Sequence, residues 1–342
     1  MKTITLTLFA LITCINNVFS QNESAVNSIL WEISGKDLTQ KSYLLGTFHG
    51  LVSDIGYEYL DTLPKYNAIF DNVEAVAIEC NLKDESTTKL ATSFMSRYFS
   101  ANYPAYALLP DSIENFSSIF ENAEEYHYVD SFIQNLQRQG GALPFEYQKL
   151  KPAFTTTILS FYKAMRKAQE KAMKNEKIDA MDLRLSEKAI EKGKRPFYME
   201  TAAEQFALLE KMDSVGTQSI ELKDQAKRLY FSCLMGDSIT NTYMQNLEDL
   251  YLKGDLDAAL KSREDILQNP EHPMPEQFME VTNDELVNDR NRRWISVIDA
   301  NVHQGSCLIA VGALHLPGEN GLINLLRKEG YTLNPVDIHA KE

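Results

Sequence analysis

Six short stretches rich in apolar and β-branched residues predict β-strands, and most of them lie toward the two ends of the chain. They are residues 30–34, 42–46, 75–80, 195–199, 306–312 and 331–336. A Gly35-Lys36-Asp37 turn between the first two indicates a hairpin. We therefore predict a mixed α/β fold whose central β-sheet is built from the N-terminal and C-terminal segments, around a large helical middle block.

The segments between these stretches have the apolar spacing of helices. We predict helices within residues 56–72, 83–175, 179–192, 202–212, 217–265, 283–302 and 322–328. Residues 83–175 are rich in polar side chains with scattered aromatic residues, and we interpret them as a helical insertion in a single domain spanning residues 21–342. Thr201 is a typical helix cap, with Glu204 in the first turn of the helix that follows it.

The first 20 residues differ from the rest of the chain. A short positive start, an apolar run over residues 4–15 and small residues at Val18 and Ser20 predict a secretory signal peptide over residues 1–20. The mature protein would then be periplasmic or extracellular. Lipid anchoring at Cys14 is less favoured, because Thr13 stands where a lipobox usually has a smaller residue. No later segment reaches the ~18 apolar residues of a membrane span.

The net charge and the cysteine spacing argue against two kinds of site, a nucleic-acid interface and a cysteine-based zinc site. The chain has 342 residues and a net charge of −14, without the basic stripe that nucleic-acid binding requires. After the predicted signal peptide, Cys80, Cys233 and Cys307 remain, and their spacing matches no zinc motif. Either two of them form a disulfide or all three are buried thiols.

Two segments almost a chain length apart end in the same motif, an apolar run followed by Gly-x-x-His. Leu-Leu-Gly-Thr-Phe-His ends at His49, and Ala-Val-Gly-Ala-Leu-His ends at His315. If the two strands are parallel neighbours, both histidines lie at the carboxyl edge of the sheet, where open α/β sheets bind ligands. Imidazole with a carboxylate forms a site suited to Zn, Mn, Co or Fe. The simpler interpretation is that each histidine is a loop or core residue.

Two glutamates and one arginine are candidates for the same site. Glu79 and Glu200 each close a predicted strand, where a buried carboxylate requires a metal, an arginine or water. Arg290 is a candidate partner, because a guanidinium orients carboxylates or stabilises an oxyanion. The simpler interpretations are a solvated strand end for Glu79, a favourable charge at a helix start for Glu200, and a surface charge run for Arg290.

These motifs carry a resemblance to a known family. The segments concerned are Leu-Trp-Glu-Ile from residue 30, Tyr-Leu-Leu-Gly-Thr-Phe-His to residue 49, Val-Ala-Ile-Glu to residue 79, Lys-Ile-Asp at 177–179, Met-Glu-Thr at 199–201 with Glu-Gln at 204–205, Lys-Gly-Asp at 253–255, Asp-Arg-Asn at 289–291 and Val-Gly-Ala-Leu-His-Leu-Pro-Gly-Glu-Asn-Gly-Leu at 311–322. The chain resembles the TraB/PrgY/GumN family, which is related to the TIKI metalloproteases and more distantly to erythromycin esterase-like and ChaN-like proteins.

The resemblance implies a mixed α/β fold with a helical insertion and an active site containing His49, Glu79 and His315, supported by Glu200 and Arg290. The TIKI branch implies divalent-metal-dependent peptide cleavage, with Mn, Co or Zn bound by the two histidines and Glu79. Glu200 would then act as general base or orient the water, and Arg290 would stabilise the oxyanion. TIKI proteins are membrane-anchored, which this chain is not predicted to be.

The family also implies an alternative without catalysis. The same histidines would bind a peptide pheromone or haem, as the PrgY and ChaN-like branches suggest. Tyr43, Phe48, Phe197 and Tyr198 would then line an apolar pocket.

Overall fold

A six-stranded mixed sheet organises the part of the chain that the structure describes. This computed structural model describes residues 27–48, 55–81, 83–100, 102–138, 145–174, 180–234, 238–268 and 274–338. The strands are β1 Leu30–Gly35, β2 Ser42–Thr47, β3 Ala75–Ile78, β4 Arg195–Tyr198, β5 Cys307–Gly312 and β6 Tyr331–Pro335. Their order in the sheet is β4-β3-β5-β2-β1-β6. The predicted mixed α/β fold and the predicted strands are confirmed.

The two Gly-x-x-His strands are parallel neighbours at the centre of the sheet. β2 pairs with β5 so that Gly46 lies opposite Val311 and Thr47 opposite Gly312. β3 pairs in parallel with β5 and with β4, whereas β1 runs antiparallel to β2 and β6. The carboxyl ends of β2, β3, β4 and β5 therefore meet at one edge.

Helices cover the sheet and extend away from it. They are α1 Tyr57–Asp61, α2 Pro64–Asn72, α3 Glu85–Phe99, α4 Ala123–Arg138, α5 Pro152–Met173, α6 Met181–Glu191, α7 Ala202–Gln218, α8 Leu222–Leu234, α9 Ser238–Leu252, α10 Leu256–Leu267, α11 Glu276–Glu280, α12 Asp289–Val302 and α13 Leu322–Lys328. A π-helix, Val281–Asn288, joins α11 to α12. The helix predicted over residues 56–72 is two helices, because Pro64 starts a new one at its first position.

Buried apolar side chains form two clusters in the described residues. One contains β-strand residues such as Leu44 and Ile309, packed against α1, α2, α6, α12 and α13. The other lies among α3, α4, α5 and α8 and is centred on aromatic residues such as Tyr98 and Phe154.

The signal peptide over 1–20 and the division into one domain with an insertion at 83–175 stay predictions, and residues 1–26 lie outside the described ranges.

The three cysteines of the described chain are buried free thiols. Burial raises the pKa of Cys80 and of Cys307 to about 11 and that of Cys233 to about 12. The free, buried state of all three agrees with the buried-thiol interpretation, and the raised pKa values keep these thiols protonated at neutral pH.

None of the described helices combines the length and the apolar character needed to cross a bilayer.

Candidate functional site

The candidate site lies at the edge where β2, β3, β4 and β5 end. Glu79 directly follows β3, and Glu200 follows β4 after Met199. The backbone N–H of Glu200 donates to the carbonyl oxygen of Glu79 at 2.9 Å, so the two glutamates are held side by side. This is the edge at which open α/β sheets bind ligands.

Arg290, at the start of α12, connects both glutamates. Its Nη2 donates to Glu79 Oε2 at 2.5 Å and to Glu200 Oε1 at 2.6 Å, and its Nε lies 3.0 and 3.1 Å from the two Glu200 oxygens. Its Nη1 donates to the carbonyl oxygen of Leu286 and to His315 Nε2, each at 3.1 Å. Every N–H of this guanidinium therefore has an acceptor.

The cluster is buried and has excess negative charge. The side chains of Glu79, Glu200 and Arg290 are 10%, 3% and 4% exposed, and two carboxylates face one guanidinium. Burial raises the pKa of Glu200, and the hydrogen bonds and charge of Arg290 offset that shift only in part. Burial acts to lower the pKa of Arg290, but Glu79 and Glu200 outweigh it, so this pKa is raised and the guanidinium stays charged.

His315 reaches the cluster from the end of β5. Gly312 leads directly into a short 3-10 helix, Ala313–His315, and the histidine is 6% exposed. Its Nε2 lies 3.9 Å from Glu79 Oε1. The indole of Trp294 packs against the imidazole with ring centroids 4.6 Å apart, and the guanidinium of Arg290 lies 4.6 Å from the same indole. Trp294 therefore supports two members of the cluster at once.

Gln205 and Cys80 hold Glu79 from the other side. Gln205 Nε2 donates to Glu79 Oε2 at 3.0 Å, and the Cys80 thiol donates to Gln205 Oε1 at 3.1 Å, which orients the amide. The backbone N–H of Gly312 donates to Glu79 Oε1 at 2.8 Å. The sequence did not predict Gln205 as a partner of Glu79, because a glutamine in the first turn of a helix has no pattern that assigns it to a carboxylate 126 positions away.

A third buried carboxylate lies close to this edge. Asp182, in the first turn of α6, is 7% exposed. Its charge contributes to the raised pKa of Cys80 and of Tyr251, after the larger effect of burial in each case. The sequence pattern indicated a helix here without a role for Asp182, because a single acidic residue in a first helical turn is common.

The end of β2 packs closely against the second Gly-x-x-His motif. A Cβ on Gly46 would lie 3.0 Å from Ala313 Cα and 3.1 Å from its Cβ, so glycine allows the approach. The hydroxyl of Tyr251 donates to the carbonyl oxygen of Gly46 at 2.9 Å. Beyond the strand, the backbone N–H of Phe48 lies 3.3 Å from Met181 Sδ. His49 itself lies outside the described residues.

Replacing Gly46 by alanine is expected to lower the free energy of unfolding by about 1–3 kcal/mol, because the new methyl group overpacks against Ala313. The double variant Gly46→Ala/Ala313→Gly should lose less than the sum of the single variants, by at least about 0.5 kcal/mol. Urea unfolding of the four proteins of this double-mutant cycle measures the coupling. Strict additivity would contradict contact between the motifs.

The π-helix places Leu286 and Arg290 on one continuous helical segment. π-Helical stretches are rare and are frequently found at functional sites. Arg263 of α10 donates to the carbonyl oxygen of Thr282 at 2.7 Å and to Asn283 Oδ1 at 2.9 Å, which stabilises the irregular backbone. The sequence predicted an ordinary helix from residue 283, because these residues have no composition that distinguishes a π-helix from an α-helix.

The structure brings Glu79, Glu200, Arg290 and His315 together, as the sequence predicted, while their chemical roles stay predictions. Within the described ranges, no group of three or more His, Cys, Asp or Glu side chains is placed to hold a metal ion. His315 Nε2 and Glu79 Oε1 nevertheless supply two donors of the type that Zn²⁺, Mn²⁺ and Co²⁺ accept. By donor type these two atoms fit a divalent ion, which would have to replace Arg290 Nη1 at His315 Nε2, and the third proposed donor, His49, lies outside the described residues.

Two of the four aromatic residues expected to line one apolar pocket, Tyr43 and Phe48, lie apart. Tyr43 lies near the amino end of β2, where it lines a cavity of about 560 Å³ with Lys65 and Ser306. Phe48 lies beyond the other end of that strand and contacts Tyr251, with ring centroids 5.1 Å apart. Because residues at opposite ends of a strand lie at different edges of the sheet, the prediction that Tyr43 and Phe48 share one pocket was wrong, and the predicted role of Phe197 and Tyr198 stays a prediction.

Comparison with known proteins agrees with the geometry. A curated relative from Amphimedon queenslandica, named "Metalloprotease TIKI homolog", is 22% identical over 342 aligned residues, which cover 93% of this chain and 63% of the relative. The chain thus spans less than two thirds of that relative's length. No solved structure gives a significant match. A family model matches residues 29–335, nearly the whole described chain, and the protein therefore belongs to the TraB/PrgY/gumN family.

Proposed function

We propose that the protein is an exported, divalent-metal-dependent hydrolase that cleaves peptide bonds at the carboxyl edge of its sheet. The observation that carries the proposal is the buried pair of His315 Nε2 and Glu79 Oε1, 3.9 Å apart. His49, at the end of the matching motif, is the third proposed ligand. The reaction class is supported by the name of the Amphimedon queenslandica relative, and export by the pattern of residues 1–20.

The cluster around this pair suits general-base chemistry. A bound divalent ion would supply a water whose pKa falls from 15.7 to roughly 7. Burial raises the pKa of Glu200, which makes its carboxylate a better proton acceptor than an exposed one. We assign Glu200 Oε2 as the proton acceptor, because among the described residues its one hydrogen bond is the 3.1 Å contact from Arg290 Nε, with Arg293 farther away at 3.9 Å.

Arg290 is better suited to holding the carboxylates than to binding an oxyanion. All of its N–H groups already donate to Glu79, Glu200, Leu286 or His315. A substrate oxygen would have to displace one of these acceptors. We therefore propose that Arg290 positions both glutamates and that the oxyanion is stabilised elsewhere.

The test combines metal analysis with cleavage. The full chain is dialysed against Zn²⁺, Mn²⁺ or Co²⁺, analysed for bound metal, and incubated with a mixture of peptides with and without a chelator. Wild type and the control His303→Ala, a histidine on the exposed end of α12, should bind metal and cleave. His49→Ala and His315→Ala should bind metal at least about 10-fold more weakly and lose cleavage.

Two results would contradict this proposal. One is metal binding and cleavage that are unchanged in His49→Ala and His315→Ala relative to His303→Ala. The other is a Soret band on adding haem that depends on His315, without metal-dependent cleavage, which would support the ligand-binding alternative.

A further inference from the structure

Asn291 is the most completely buried polar side chain next to the candidate site. It follows Arg290 in the first turn of α12 and is 0% exposed. Its Nδ2 donates to the carbonyl oxygens of His315 at 3.1 Å and of Asn320 at 2.9 Å. Its Oδ1 lies 2.7 Å from His315 Nδ1.

These contacts determine which way the amide faces. A backbone carbonyl oxygen can only accept a hydrogen bond, so two carbonyls on one side require the NH₂ group of Asn291 there. The amide oxygen must then face the imidazole, and an amide oxygen only accepts. Nδ1 of His315 therefore carries the proton, and Nε2 carries the lone pair.

Arg290 imposes the same tautomer from the opposite side of the ring. Its Nη1 donates to His315 Nε2 at 3.1 Å, and a guanidinium N–H cannot accept a proton in return. A proton on Nε2 would place two donors against each other. The contacts on both sides of the imidazole thus direct the Nε2 lone pair toward the cluster, where it accepts from Arg290 Nη1 and lies 3.9 Å from Glu79 Oε1. A metal ion at Nε2 would have to displace Arg290 Nη1 from this lone pair.

We propose that Asn291 is a positioning residue that holds His315 in the Nδ1–H tautomer and thereby makes Nε2 the ligand atom of the site. The role of Nε2 as a metal ligand rests on the proposed metal-dependent function, whereas the tautomer itself can be tested without metal. Metal-binding histidines usually donate their other ring N–H to a carbonyl or carboxylate oxygen, and loss of that acceptor weakens metal binding or activity about 10–100-fold.

Two substitutions at Asn291 distinguish its contact with His315 Nδ1 from its contacts with the two backbone carbonyls. Asn291→Asp keeps an oxygen for His315 Nδ1–H but removes the donor to the two carbonyls, whereas Asn291→Leu removes both. If Asn291 positions His315, the aspartate variant should bind Zn²⁺ within a few-fold of wild type, and the leucine variant about 10–100-fold more weakly. Asn301→Asp and Asn301→Leu, at the far end of α12, are the matched controls.

The decisive readout is the ¹⁵N spectrum of His315 in metal-free, full-length wild type, assigned by its absence in His315→Gln. At about pH 8, above the usual imidazole pKa of about 6.5, Nδ1 should give a protonated-type shift and Nε2 an unprotonated-type shift. The opposite assignment would overturn the proposal, as would equal loss of Zn²⁺ affinity in Asn291→Asp and Asn291→Leu. If no protein binds Zn²⁺, the proposed function fails while the spectrum still decides the tautomer.

Discussion

Replacing Arg290 by methionine is expected to lower the free energy of unfolding by about 3–5 kcal/mol and to abolish any hydrolysis. The variant leaves Glu79 and Glu200 buried, with side chains 10% and 3% exposed, and without the cation that contacts both. Removing one partner of a buried ion pair costs this much because the remaining charge is neither solvated nor compensated. Urea unfolding followed by circular dichroism measures the loss.

A charge-compensated variant separates the electrostatic cost from lost packing. In Glu79→Gln/Glu200→Gln/Arg290→Met no buried charge is left unpaired, so most of the stability should return while hydrolysis stays absent. Arg292→Met is the control on the same helix, because its side chain is 51% exposed and should contribute about 0.5 kcal/mol or less. A triple variant no more stable than Arg290→Met would show that packing, and not charge, dominates.

The parts of the site that are continuous in sequence were predictable. An apolar run that ends in Gly-x-x-His indicates a buried strand and the loop after it, and two such runs are the neighbouring strands β2 and β5. Glu79 and Glu200 were predicted at strand ends for a similar reason, since each closes a short apolar stretch. Parallel strands then bring these ends to one edge without further information.

The parts that depend on long-range contacts were not predictable from the sequence alone. Gln205 contacts Glu79, and Asn291 contacts His315, through side-chain amides on helices, and amides in a helical pattern have no feature that assigns them to a partner. The predicted oxyanion role of Arg290 assumed a free N–H group, and only the geometry shows how many acceptors surround it. The sequence pattern thus indicated which strand-end residues meet at the site, whereas the packing around Arg290 determines whether any of its N–H groups is available to a substrate.

Replacing Trp294 by alanine is expected to lower the free energy of unfolding by about 3–5 kcal/mol, the usual cost of removing a buried aromatic side chain. The residue is 0% exposed and packs against both His315 and Arg290, each at 4.6 Å. Trp294→Phe should cost clearly less, because it keeps a ring beneath the imidazole. It also loses no hydrogen bond, since the indole N–H has no acceptor among the described residues.

Trp31 is the other tryptophan of the chain and lies on β1. Its replacement allows Trp294 to be followed by fluorescence on its own. A Trp31→Phe background makes Trp294 the sole tryptophan, so its fluorescence reports on the imidazole and guanidinium that it contacts. In that background, metal binding at His315 should change the emission, and His315→Ala should remove the change. Equal stability losses for Trp294→Phe and Trp294→Ala would mean that the ring contact with His315 contributes nothing, and the support assigned to Trp294 would be wrong.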